Sequence, residues 1–249
     1  PAPGWRYNIN HKRFQRWMMS SYCKGADYFF AINQQMLDYQ ILTFRNKQSL
    51  KTGVIYQPII ETKVQLPQSK DDIILYTGGI YGDRKVEYII KAFEKYLSIN
   101  PFARILFVGS NLTLDYLSQY VSSMTLQNVD IEGYTINLFP YYKKAKVLLN
   151  IDSDVKHDVF IASKLLKYLN INRMILCETG VDSPSRYMLG ELATVVQCDH
   201  NVEELCNGIK HCIDNCGNVD YTERDDLLSQ LSPNTVISNL LKILKSNIN

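Results

Sequence analysis

Apolar positions along the chain fall into short continuous runs, and between those runs the spacing changes to that of a helix face. The clearest case is Ile73-Ile74-Leu75-Tyr76-Thr77, a stretch without a charge that runs into Gly78-Gly79-Ile80-Tyr81-Gly82. Val86, Ile89, Ile90, Phe93 and Leu97 then recur on one face, which predicts a helix from Arg84 to Ser98. The same alternation continues downstream. Strands are predicted from Ala103 to Val108, Val129 to Glu132, Val147 to Ile151, Met174 to Cys177 and Thr194 to Gln197. Helices are predicted from Leu114 to Ser122, Leu138 to Lys144, Ser163 to Leu169 and Val202 to Ile213. Asn201 with Glu204 three residues on reads as a capping box, and Ser232-Pro233 starts a C-terminal helix with proline at its first position. Strand and helix alternating with short connections predict an α/β fold, a Rossmann-like parallel sheet with helices on both faces.

Upstream the pattern differs. Residues 10 to 25 read as a helix with Phe14, Trp17, Met18 and Tyr22 on one face and Lys12, Arg13, Arg16 and Lys24 around it. Such a basic, aromatic helix either packs on its own domain or lies at an anionic membrane face. Ala26 to Ile32 reads as a buried strand, Asn33 caps a helix to about Phe44, and Gly53 to Gln57 forms a short strand stopped by Pro58. From residue 59 to 71 the composition turns polar, with Pro67-Gln68-Ser69-Lys70-Asp71, and this is taken as a linker. Two units result: residues 1–58, and a larger one over residues 72–249.

Composition narrows the function classes. With 249 residues, 46% hydrophobic and 21% charged, the chain is long enough for one large or two modest domains. A net charge of +2 lacks the concentrated basic stripe of a nucleic-acid groove. Cys23, Cys177, Cys198, Cys206, Cys212 and Cys216 are spread through apolar segments of a chain too large to need disulfide staples, so reduced thiols and a cytoplasmic location are expected. The sequence begins Pro-Ala-Pro without a methionine, and a trimmed or partial chain is expected.

The candidate chemistry lies where predicted strands end. Gly78 and Gly79 let a ligand approach the backbone, and the exposed N–H groups of such a turn suit an anion. Arg84 and Lys85, expected in the first turn of the next helix, are poor partners for the positive end of a helix dipole, and a bound diphosphate would account for them. Ser163 and Lys164 open another helix, where a hydroxyl and an ammonium converge on phosphate oxygens. The rival chemistries are weaker. Dinucleotide binding would need a glycine where Ile80 stands, and no carboxylate follows the next strand, which ends in Gly109-Ser110-Asn111. Asp152-Ser153-Asp154 has the spacing to bridge a divalent ion, but a solvated strand end is the expectation. Cys206, Cys212 and Cys216 with His200 and His211 lack a close ligand pair and trace one apolar helical face, so core packing is expected and no metal site. His157 lies in a loop without an evident partner nucleophile.

Several stretches occur together in a fixed order: Thr77-Gly78-Gly79, Gly82-x-Arg84-Lys85, Phe107-Val108-Gly109, Glu132-Gly133-Tyr134, Tyr141-Tyr142-Lys143-Lys144-Ala145 and Ser163-Lys164-Leu165-Leu166-Lys167-Tyr168-Leu169. In that order they resemble the C-terminal, nucleotide-sugar-binding half of GT-B glycosyltransferases, in particular the retaining group 1 (family 4) enzymes. The resemblance spans roughly Asp72 to the end. Upstream, Gly25 to Asn33 is similar to the closing βα unit of that family's N-terminal acceptor domain. The resemblance implies transfer of a sugar from a nucleotide-diphosphate donor to a hydroxyl of a glycan or lipid-linked acceptor, with retention. In that reading Arg84 and Lys85 neutralise the departing diphosphate as the catalytic cations, and Gly78 and Gly79 give it room. Ser163 and Lys164 hold the diphosphate from the opposite side, and Gly133 with Tyr134 border the base. The donor is a nucleotide-sugar such as a UDP-, GDP- or dTDP-sugar, and no further cofactor or metal is implied.

One position departs from that family. Lys167 stands where a glutamate usually accepts hydrogen bonds from the donor ribose, and an ammonium has no acceptor lone pair. Ribose recognition would then move elsewhere, to Asp158 for example, or donor choice differs. The competing reading is a non-catalytic nucleotide-sugar-binding subunit that needs a partner chain for activity. A Rossmann-like interaction domain with no donor site is the third.

Overall fold

The computed structural model describes residues 13, 14, 17, 18, 20, 21, 25–41, 51–60, 62–156 and 158–245. Residues 13, 14, 17, 18, 20 and 21 are helical, and the Phe14 and Trp17 rings stack there at 5.9 Å while staying exposed. Lys12, Arg16, Tyr22 and Lys24 of the predicted amphipathic helix lie outside the described residues, as do Cys23 and His157.

A small N-terminal unit comes first, with β1 (Tyr28–Ala31), α1 (Gln34–Ile41) and β2 (Lys51–Val54), the two strands pairing parallel. Asn33 caps α1 as expected, its Oδ1 accepting the Met36 N–H at 2.7 Å. Its Nδ2 donates to the Val159 carbonyl at 2.9 Å and so ties the unit to the larger one. The polar stretch 59–71 is laid against the sheet rather than free. Ile59 and Leu66 are buried, and Val64 forms a parallel bridge to Ile171.

The larger unit is a six-stranded parallel sheet in the order β5-β4-β3-β6-β7-β8. Its strands are β3 (Ile73–Thr77), β4 (Arg104–Val108), β5 (Val129–Glu132), β6 (Val147–Ile151), β7 (Met174–Glu178) and β8 (Val195–Cys198). The helices are α2 (Glu87–Leu97), α3 (Leu114–Leu117), α4 (Ser123–Leu126), α5 (Phe139–Lys144), α6 (Ser163–Tyr168), α7 (Pro184–Leu189), α8 (Val202–Asn215), α9 (Asp225–Gln230) and α10 (Pro233–Lys245). Alternate strand residues face opposite layers, so the sheet holds two cores. Ile74, Tyr76, Ile105, Phe107 and Leu149 pack with Ile89, Ile90 and Phe93 of α2 and with Leu205, Ile209 and Cys212 of α8. Leu75, Leu106, Leu148 and Ile175 pack with Leu165 and Tyr168 of α6 on the other side. Among the described residues no helix is long and apolar enough to cross a membrane.

Several boundaries move for physical reasons. The helix predicted over Leu114 to Ser122 stops at Leu117, and a separate short helix follows at Ser123, because Thr113 and Ser122 each cap a new turn by accepting the Tyr116 and Thr125 N–H groups. The capping box before α8 is half formed. Asn201 Oδ1 accepts from Glu203 and Glu204 N–H groups, but the Glu204 carboxylate takes the Asp199 N–H instead of returning to Asn201. The helix expected from Arg84 begins at Glu87, with Val86 as its cap residue, so neither Arg84 nor Lys85 lies in a helical turn.

Candidate functional site

In this strand order the chain leaves β3 toward β4 on one side and returns to β6 on the other, so the crevice at the carboxyl ends of β3 and β6 is the topological switch point. Gly78 continues β3 into that crevice with φ of +88°, and Gly109 continues β4 with φ of +69°, conformations that favour glycine. Their N–H groups extend the ladder to the Val108 and Glu132 carbonyls. A side chain at Gly109 would stand 4.0 Å from Gly78 Cα and 3.6 Å from Tyr134 Cα, so three strand ends meet here without bulk.

Cations converge on this floor. The Lys164 ammonium position lies 3.3 Å from the centroid of the Tyr76 ring and would be 3.8 Å from a β-carbon at Gly78. Tyr76 is itself fixed, its hydroxyl donating to the Gly79 carbonyl at 3.0 Å. Arg84 stacks its guanidinium 5.0 Å from the Tyr81 ring centroid, and a β-bridge to Ser153 holds its backbone across the switch point. Both Lys164 Nζ and Arg84 Nε are buried with no hydrogen-bond partner. Burial, and then the Arg84 charge, draw the Lys164 pKa down to about 6.

Lys85 is different. Its ammonium donates to Asp154 Oδ2 at 2.7 Å, and that bond raises the lysine pKa and lowers the carboxylate's. Its side chain is half exposed, on the β6 side of the crevice. Ser163 opens α6 as expected, at its first turn after the cap residue Ala162, and no side-chain cap bond forms there. Gly79 sits beside the Tyr81 ring. A side chain at Gly133 would meet nothing within 4 Å, and Tyr134 next to it is exposed. Lys164 is thus laid over Gly78 close enough to Arg84 to feel its charge, with Tyr134 along the same edge beside Gly109. Lys85, Ser163 and Gly133 border the crevice without converging on those two nitrogens.

The D-x-D triplet is not the solvated strand end expected. Asp152 is fully buried, Oδ1 accepting from Asn150 Nδ2 at 2.9 Å and Oδ2 from the Ser183 hydroxyl at 3.0 Å. Asp154 serves Lys85. Neither is arranged as a cation ligand, and no cluster of metal-binding side chains occurs among the described residues. The cysteines of α8 lie in the core as expected, while His200 does something the sequence did not suggest. Its Nδ1 is 2.8 Å from Glu178 Oε1, at the ends of β8 and β7. Burial pushes Glu178 up to about 7 against the pull of His200, and burial of His200 is outweighed by the Glu178 carboxylate, so the imidazole pKa is raised. Tyr76, Tyr81 and the Glu178–His200 pair are the site components the sequence reading missed. Only their places at strand ends hinted at them.

This sheet order, with a polar crevice at the switch point, is the α/β fold of GT-B glycosyltransferase structures, and structural comparison bears that out. HepE from Anabaena in complex with UDP and glucose superposes with a TM-score of 0.73 at 12% identity, over 96% of this chain and 68% of that one. TarM gives a TM-score of 0.71 at 11% identity over 96% of this chain, which spans about half of TarM, 47% of its length. The lipopolysaccharide outer core galactosyltransferase WaaB gives 0.66 at 15% identity, over 98% of this chain and 66% of that one. No protein-family model matches the sequence, and no curated protein matches it.

Proposed function

We propose that the chain is the donor-binding part of a glycosyltransferase that moves a sugar from a nucleotide-diphosphate donor to a hydroxyl of a glycan or lipid-linked acceptor, with retention. Residues 72–249 form the donor-binding domain, residues 59–71 the linker, and residues 1–58 the end of an acceptor-side domain. The observation that carries this reading is Lys164 over Gly78 within reach of the Arg84 charge, with one buried nitrogen on each that no protein group satisfies. A buried guanidinium nitrogen and a buried amine without partners are costly, and a polyanion is the ligand that offsets that cost. A diphosphate would lie over the glycine floor, and Tyr134 at the β5 end would border the base. Leaving-group stabilisation by Arg84 and Lys85 would supply the rate, since charge grows on the diphosphate as the glycosidic bond breaks.

The structural neighbours crystallised with UDP, such as HepE, support a nucleotide-sugar as the donor class. Calorimetry with UDP, GDP and dTDP on the wild type and on Arg84→Ala tests the site. Binding by the wild type that is much weaker in the variant is expected. Equal binding by both would sink the assignment. Transfer to an added acceptor by this chain alone would then separate an enzyme from a donor-binding subunit.

A further inference from the structure

Lys164 is the least satisfied charge in the molecule's crevice, and its surroundings determine when that charge exists. Three groups face it, from three elements. Tyr76 of β3 presents its ring, and burial keeps the phenol protonated with its pKa raised. Arg84, from the turn before α2, repels an ammonium. Asp152, after β6, attracts one, but it is fully buried with its two oxygens held by Asn150 and Ser183, so it cannot turn toward the amine. The nitrogen itself has no hydrogen-bond partner.

We infer that Lys164 stands as a neutral amine in the free protein and takes up a proton when a diphosphate enters, so that nucleotide-diphosphate binding by this chain is proton-coupled. The inference rests on the donor-site reading above and deepens it. A diphosphate laid over Gly78 would bring opposite charge to the amine, with enough of it to outweigh Arg84. That reverses the sign of the local field and favours the ammonium. Because the amine's pKa is about 6 without ligand and higher with it, the complex holds the extra proton over the pH range between those values. Affinity therefore falls as pH rises through that range, and release of the diphosphate product releases the proton.

The experiment is calorimetry of UDP and GDP binding at pH 8 in several buffers of different ionisation enthalpy. At that pH a terminal phosphate, with its last pKa of roughly 6, has no proton of its own to exchange. Uptake of about one proton per nucleotide is expected, with Kd weakening up to ~10-fold per pH unit above neutrality. Lys164→Arg should keep binding and lose the uptake, because a guanidinium is always charged. Binding with no proton uptake and a flat Kd in the wild type overturns the proton coupling alone. Uptake that persists in Lys164→Arg overturns the assignment to Lys164. Failure of UDP, GDP and dTDP alike to bind overturns the donor site as well, which keeps the two failures distinct.

Discussion

The sheet buries cations at both of its edges and treats them in opposite ways. At the amino edge, Arg173 and Arg224 are each 1% exposed. Arg173 donates to the Ala145, Pro67 and Asn172 carbonyls at 2.6, 2.7 and 2.9 Å. Arg224 donates to Thr194 Oγ1, Ile171 O and Arg173 O at 2.8 Å and to Thr194 O at 3.0 Å. At the carboxyl edge, Lys164 Nζ and Arg84 Nε find nothing. The same contrast appears in their protonation. Burial lowers Arg224 only to about 10, still charged at neutral pH, whereas Lys164 falls to about 6. A planar guanidinium surrounded by carbonyls is a structural pin, whereas a buried amine over a tyrosine ring beside another cation has no such partners and is what the proposed donor site would use.

The largest test of that contrast is Arg224→Met. It leaves the Ile171, Arg173 and Thr194 carbonyls buried without donors, and a loss of about 3–5 kcal/mol in folding stability is expected from chemical denaturation. Nucleotide affinity, measured where the variant is still folded, should not change. A marginal loss of stability would erase the distinction between the edges from the structural side.

Arg84→Ala should do the reverse. With its guanidinium resting on Tyr81, its removal is expected to leave the denaturation midpoint nearly unchanged. It should lower kcat for sugar transfer by the equivalent of about 2.7–4 kcal/mol, the range for a lost charge-stabilising donor. Lys164→Met sharpens the point further, because the two readouts should move in opposite directions. Replacing an uncompensated buried amine by a thioether of similar length should raise stability by about 1–3 kcal/mol while abolishing diphosphate binding. A variant that lost both stability and binding would make Lys164 a structural residue.

The parallel sheet was legible because its strands are continuous apolar runs and its helices keep a 3.6-residue face, and both signals are local. The switch point follows from the strand order, which the alternation of elements constrains. What stayed hidden depends on contacts between elements. Tyr76 reads as one more buried strand residue until Lys164, from a helix far along the chain, is laid over its ring. Asp152 reads as a loop carboxylate until Ser183 closes on it, and His200 reads as a helix-flanking histidine until the β7–β8 pairing sets it beside Glu178. The expected helix start at Arg84 came three residues early, most of a helical turn. Spacing alone does not reveal that the Arg84–Ser153 bridge keeps this segment extended until Val86.

Lys85 supplies the smallest and most discriminating test, because it stands between the two classes. It faces the crevice like Arg84 but already has a partner like Arg224, in Asp154. To neutralise a diphosphate it must give up that bond, so the net gain is the difference between two charge pairs rather than one full pair. Lys85→Ala should therefore lower kcat less than Arg84→Ala does. Its effect on stability should stay below about 1 kcal/mol, the range for a half-exposed ion pair. Asp154→Asn tests the same competition from the other side, since it removes the charge that holds Lys85 back. Nucleotide affinity should rise a few-fold in Asp154→Asn, and the gain should vanish in the double variant with Lys85→Ala. Equal losses from Lys85→Ala and Arg84→Ala, with no gain from Asp154→Asn, would mean that a pre-existing partner does not matter at this edge.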